Sequence, residues 1–244
     1  MMRPKTVMEN LNLDKHISKQ FNEDLEDIKT AMLAMGGLVE KQLEDSIASV
    51  INADSKLAEH IISTENKIDE MEKDIDETCI TLIARRQPAA TDLRLVMAVS
   101  KTIRDLERIG DEAQKIAKMA IKLTEEGHPR GYQEVRHIGS CVRKMLRDCL
   151  DAFSRFDADS AISTMLQDEQ VDKDYRTAIR ETITFMMEDP RSISRSMNVL
   201  WVLKSLERVG DHAKNICEQV VYLVQGTDIR LSLIHISEPT RLNP

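Results

Sequence analysis

The hexapeptide Leu106-Glu107-Arg108-Ile109-Gly110-Asp111 returns 100 residues later as Leu206-Glu207-Arg208-Val209-Gly210-Asp211, and Ala113 and Ile116 return as Ala213 and Ile216. A chain that repeats a motif in register must build one structural unit twice. Weaker echoes extend the repeat upstream at an offset of 103. Val142, Leu146 and Asp148 answer Val39, Leu43 and Asp45, and Val171-Asp172 answers Ile68-Asp69. The densest cluster of chain breakers, Gly127-His128-Pro129-Arg130-Gly131, lies near the middle. The division that follows is a first repeat at 1–127 with a polar N-terminal arm and a second at 128–230. Residues 231–244 remain as a tail, whose Ser232 to Arg241 resembles translated cloning DNA and is set aside.

Each repeat reads as three helices. Ile17, Phe21, Leu25, Ile28, Met32 and Met35 begin a stripe spaced by threes and fours that continues to Val50. Gly36-Gly37 inside it marks a kink or a close helix approach. Asn52 to Ser55 supplies a turn and an N-cap, and Leu57 to Leu82 stripes a second helix. Gln87-Pro88 breaks the pattern before a third helix running to about Leu123. In the second repeat, Asp189-Pro190 reads as an N-cap followed by proline at the first helical position. Gly 8 and Pro 6 leave few turns, and Trp 1, Tyr 3 and Phe 4 are too few for a β-rich core. The expected fold is all-α, two tandem three-helix bundles.

A net charge of −8 argues against nucleic acid as a partner. No apolar run reaches the roughly 18 residues of a membrane span, and the first residues lack the apolar stretch of a secretory signal. The expected location is the cytoplasm. Cys79, Cys141, Cys149 and Cys217 have no CxxC spacing and read as small core residues.

The repeated motif carries the chemistry. Glu107 and Asp111, like Glu207 and Asp211, stand four apart, about 40° around a helix, at the border of the apolar stripe. Gly110 and Gly210 beside them let a neighbouring helix come close. Two carboxylates in an interhelical groove suit a hard cation: iron, manganese or magnesium, with zinc as a further option. The competing assignment is a salt-bridge ladder, Asp111 with Lys115 and Arg104 with Glu107. The second copy is expected to bind more tightly, since neutral Asn215 replaces Lys115. Glu134-x-x-His137 has the spacing of a di-iron ligand pair but occurs once and reads as a surface coincidence. No phosphate loop, GxSxG or Cys/His nucleophile arrangement is present, so no enzyme is expected.

These residues, with His16 to Phe21, Ala84-Arg-Arg-Gln-Pro88, Asp92 to Val96 and Tyr175 to Pro190, resemble the PhoU family over about residues 11–230. The resemblance implies tandem three-helix bundles that bind metal ions through Glu/Asp-x-x-x-Asp motifs. It implies a cytoplasmic, often dimeric, negative regulator of the phosphate-starvation response. Such a regulator links the ATPase subunit of the phosphate ABC transporter to a membrane-bound sensor histidine kinase, and is peripheral to the membrane through those partners. By position, Glu107 and Asp111 would serve one metal site, Glu207 and Asp211 the other, with Asp69 and Asp172 as possible further ligands. A metal-storing or redox carboxylate bundle and a purely structural scaffold are the alternatives. Trp201, well over 90° from the stripe, packs against the other bundle, a second copy or a signalling partner.

Overall fold

A computed structural model of the protein describes residues 19–64, 66–127 and 132–226. The first repeat comprises α1 (Lys19–Asn52), α2 (Ser55–Ser63), α3 (Asn66–Arg86) and α4 (Ala90–Glu125). The second comprises α5 (Gln133–Arg155), α6 (Ala158–Met165), α7 (Asp168–Glu188), a 3-10 turn (Pro190–Ser192) and α8 (Ile193–Gln225). The N-terminal arm, most of the central Gly-Pro cluster and the tail at 231–244 lie outside the described residues.

The three-helix unit therefore occurs twice, with its middle helix in two pieces. The stripe from Leu57 to Leu82 is apolar throughout but breaks after Ser63. There the Ser63 and Thr64 hydroxyls donate to the His60 carbonyl at 2.7 and 3.2 Å, and so compete with the backbone for helical acceptors. The turns into α2 and α6 are built alike. Ala53 and Phe156 take left-handed backbone angles, φ 50° and 54°. Asp54 and Asp157 then accept from the Leu57 and Ser160 amides at 3.0 Å, capping the short helices. Phe156 is not a residue that favours that conformation. It is held there by burial, lying 6.4 Å from the Phe153 ring, with Lys29 of the first repeat over its face at 4.5 Å. Asp189 caps the 3-10 turn through the Arg191 amide, as its sequence indicates.

The four long helices α1, α4, α8 and α5 pack in a ring. α3 lies on α1 and α4, and α7 lies on α8 and α5. Met32, Met35, Ile103, Leu106, Ile116 and Phe153 are fully buried within this ring. The repeats meet across two antiparallel seams. In one, Lys101 lies over Tyr222, Asp105 meets His212 and Asn215, and Glu112 meets Arg208, so α4 and α8 cross near Gly110 and Gly210. In the other, α1 and α5 approach at glycines. A Cβ on Gly36 would stand 2.7 Å from Leu150 Cδ2, and one on Gly139 would stand 3.1 Å from Ile47 Cδ1. Gly36 and Gly139 are equivalent in the two repeats, as are Ile47 and Leu150, so a pseudo-twofold axis relates the halves. Of the two readings of Gly36-Gly37, close approach is what is seen: α1 runs as one element, and Gly37 faces nothing within 4 Å. Among the described residues no helix is long and apolar enough to cross a membrane.

The two adjacent glycines should therefore respond in opposite directions. Gly36→Leu drives extra volume into the α1/α5 seam and should cost about 1–3 kcal/mol. Gly37→Ala removes only the helix penalty of glycine and should gain up to about 1 kcal/mol. Thermal melts of the two variants check the pair.

Candidate metal centre

The motif glycines are what bring carboxylates from two helices together. A Cβ on Gly110 would meet Ile68 Cδ1 at 3.2 Å, and one on Gly210 would meet Val171 Cγ1 at 3.6 Å and Asp168 Oδ1 at 3.2 Å. Without side chains there, α3 and α7 lie low on α4 and α8. Their acidic first turns then face the motif acids.

In the first repeat, Glu107 of α4 has Asp111 one turn on, with Asp69 and Glu72 of α3 close enough to act on it. Partial burial, then the Asp111 carboxylate, pushes the Glu107 carboxyl above its ordinary range; Asp69 and Glu72 add to this, and Arg108 opposes it. In the second repeat the site is built around Asp211. Burial, then Glu207, Asp168 and Asp172, raises its carboxyl against the pull of Lys204. In each repeat four carboxylates thus lie within electrostatic reach of one another, three of them at equivalent positions. Asp69 and Asp172, weak candidates from sequence, take part in both clusters. Glu72 and Asp168 were missed, although each shares a helix face with a named acid: Glu72 is three residues after Asp69, and Asp168 four before Asp172.

The cations sit elsewhere than the spacing suggests. Lys115 pairs with Glu112 at 3.0 Å, and Asp111 takes Arg108 at 3.5 Å instead. Arg108 Nε also reaches Glu107 at 3.3 Å. In the second repeat Lys204 holds Glu207 at 2.6 Å and Lys214 holds Asp168 at 2.9 Å. The expected advantage of the second site, a missing lysine at position 215, is therefore offset by Lys204, three residues before Glu207, and by Lys214, which reaches its acid from another helix. Asn215 turns to the other repeat, donating to Asp105 at 3.1 Å.

Among the described residues no group of three or more acidic, His or Cys side chains is placed closely enough to hold a metal ion. The donor set nonetheless suits a hard cation: all oxygen, anionic, and with a carboxyl in each cluster held above its ordinary range by burial and its neighbours. The other candidates resolve differently. His137 Nε2 lies 2.9 Å from Asp174 Oδ2 at the surface, and Glu134 lines the same shallow cleft. Cys79, Cys149 and Cys217 are buried and Cys141 half-buried, with burial pushing the Cys79 thiol up to about 12. Trp201 is 58% exposed, one turn from the exposed Met197, while Arg208 and His212 further along α8 turn into the α4/α8 seam.

Comparison with known proteins gives a consistent result. The PhoU domain profile matches residues 32–120 and again 135–220. The chain is 56% identical over 234 residues to the phosphate-specific transport system accessory protein PhoU homolog of Pseudomonas aeruginosa, covering 95% of this chain and 97% of that one. It is 46% identical over 223 residues to the accessory protein PhoU of Escherichia coli K12, covering 91% and 92%. The crystal structure of PhoU from Pseudomonas aeruginosa matches with a TM-score of 0.83 at 59% identity, over 85% of this chain and all of that one. The phosphate transport system regulatory protein PhoU of Streptococcus pneumoniae matches at 0.80 and 33% identity, over 85% and 98%.

The raised carboxyls fix the sign of a pH effect. An acid whose folded-state value lies above its unfolded one holds its proton longer when folded, so stability falls as pH rises through that window. At neutral pH Glu107 and Asp211 therefore weigh against the metal-free fold. Glu107→Gln and Asp211→Asn should each raise the melting midpoint of chelated protein at pH 7 by about 1–3 °C. Both should also flatten the fall in stability between the ordinary carboxylate range and neutrality, which melts across that range will measure.

Proposed function

Given that the chain belongs to the PhoU family, we propose that it is a non-enzymatic accessory protein of phosphate transport that restrains the phosphate-starvation response. It acts in the cytoplasm as a metal-binding helical adaptor between the phosphate ABC transporter, through its ATPase subunit, and a sensor histidine kinase, and it works as a homodimer. The observation that supports this most is the duplicated carboxylate cluster, set outside the core by two motif glycines and offering no nucleophile. A divalent or ferric ion there supplies positive charge between α3 and α4, or α7 and α8. Glu107 and Asp111 with Asp69 and Glu72 would hold it in one repeat, and Glu207 and Asp211 with Asp168 and Asp172 in the other. In the second site Lys204 must release Glu207 first, which makes uptake there compete with an ion pair. Ordering the exposed α3 and α7 surfaces against the ring is then the output that a partner reads.

The variant Glu107→Ala, Asp111→Ala, Glu207→Ala, Asp211→Ala tests the assignment. Elemental analysis after mild purification and calorimetry with manganese or iron should show uptake by the parent and a loss of tenfold or more in the variant. A strain carrying the variant should express its starvation genes in phosphate-rich medium, and chelator should weaken capture of the transporter ATPase or kinase by the parent. Equal metal uptake removes the metal assignment. Intact repression and capture without metal point to a scaffold, and oxygen-dependent turnover of bound iron points to a redox bundle.

A further inference from the structure

We infer that the α1/α5 seam is keyed by charge so that a first repeat accepts a second repeat and refuses another first. The shape of the seam does not make this distinction. Gly36 faces Leu150 and Gly139 faces Ile47, and these are the same contact repeated by the pseudo-twofold axis. Two copies of either repeat could therefore offer each other a glycine notch and a branched aliphatic chain.

The charges differ. Positions 40 and 44 of the first repeat correspond to 143 and 147 of the second, and the pairs read Glu40 and Glu44 against Arg143 and Arg147. Across the antiparallel seam Arg147 Nε donates to Glu40 Oε1 at 2.7 Å, and Arg143 Nη1 donates to Glu44 Oε1. Like repeats in the same register would set four carboxylates, or four guanidiniums, against each other. The adjoining outer positions provide an internal control. Lys41 and Asp45 pair within α1, and their equivalents Lys144 and Asp148 pair within α5, with the residue types unchanged. Sign is inverted at the two positions that cross the seam and kept at the two beside them. The second seam does not repeat the inversion: Glu112 of the first repeat meets Arg208 of the second, and position 208 corresponds to Arg108, so the sign reversal belongs to the α1/α5 seam. One surface pair is worth little, but two adjacent pairs on a fixed helix scaffold reverse together. The partner this surface fits is thus the unlike repeat, so self-association of the chain must use another face.

Charge reversal in the full chain tests this directly. Glu40→Arg/Glu44→Arg gives the first repeat the charges of the second, and Arg143→Glu/Arg147→Glu does the converse, so each mimics a like-with-like seam. Combining all four restores complementarity with the signs exchanged. At low salt, amide hydrogen exchange in the middle of α1 and α5 should quicken about tenfold in each double variant and return to within threefold of the parent in the combined one. Molar salt should shrink the difference. Double variants that exchange like the parent overturn the inference, as does a combined variant no better than the doubles or a defect that molar salt leaves unchanged. If the doubles do not fold, the combined variant decides: parental protection supports the key, and failure to fold refutes it.

Discussion

The contact between α4 and α8 is the constraint from which the rest of the molecule follows. Each of these helices is buried on two sides, one facing its own repeat and one facing its counterpart. On α4 the buried positions include Leu95, Val96, Val99, Ile103, Leu106 and Ile109, a stripe too wide for a single neighbour to cover. A lone repeat would leave one of those sides in water. Burial of the second side also traps charge. Glu112 is only 2% exposed and is balanced by Lys115 of its own helix and Arg208 of the other repeat. Such a carboxylate is tolerable only while its partners stay, so Glu112 needs the second repeat in place.

With the long helices fixed in a ring, α3 and α7 have one place left to lie, across the outer grooves. How deeply they sit is decided at Gly110 and Gly210, where Ile68 Cδ1 and Asp168 Oδ1 stand 3.2 Å from the place a Cβ would take. The consequence is electrostatic. Acidic first turns are brought against motif acids, and Glu107 and Asp211 hold their protons more firmly than usual because burial and their neighbours oppose ionisation. The chain thus carries two anionic clusters at equivalent positions on the outside of a rigid core. An arrangement of this kind can respond to a cation without the core having to move.

Much of this was legible in the sequence, and the parts that were not share a cause. The helical stripes, the caps at Asp54 and Asp189 and the duplicated motif follow from local periodicity and side-chain chemistry, as does the placement of Glu107 beside Asp111 and of Glu207 beside Asp211. What periodicity could not give was direction between helices. Lys214 reaches Asp168 on another helix, a pair that no fixed spacing picks out, and within α4 Lys115 is a turn from Asp111 yet points to Glu112. The split of the middle helix was hidden because its apolar stripe continues through hydroxyl residues that loosen the backbone. Gly139 was overlooked although it stands at the same offset from Gly36 as the other echoes. Trp201 stayed ambiguous because an angle on a helix wheel says which way a ring points, not whether anything covers it.

We propose that each repeat holds a cation between its middle and last helices through oxygen donors. Anomalous diffraction from crystals of the protein grown with manganese tests it most directly. Two peaks are expected, one within coordinating distance of Glu107 and Asp111 with oxygens from α3, the other near Glu207 and Asp211 with oxygens from α7. Peaks confined to other surfaces, or none at saturating manganese, would contradict it.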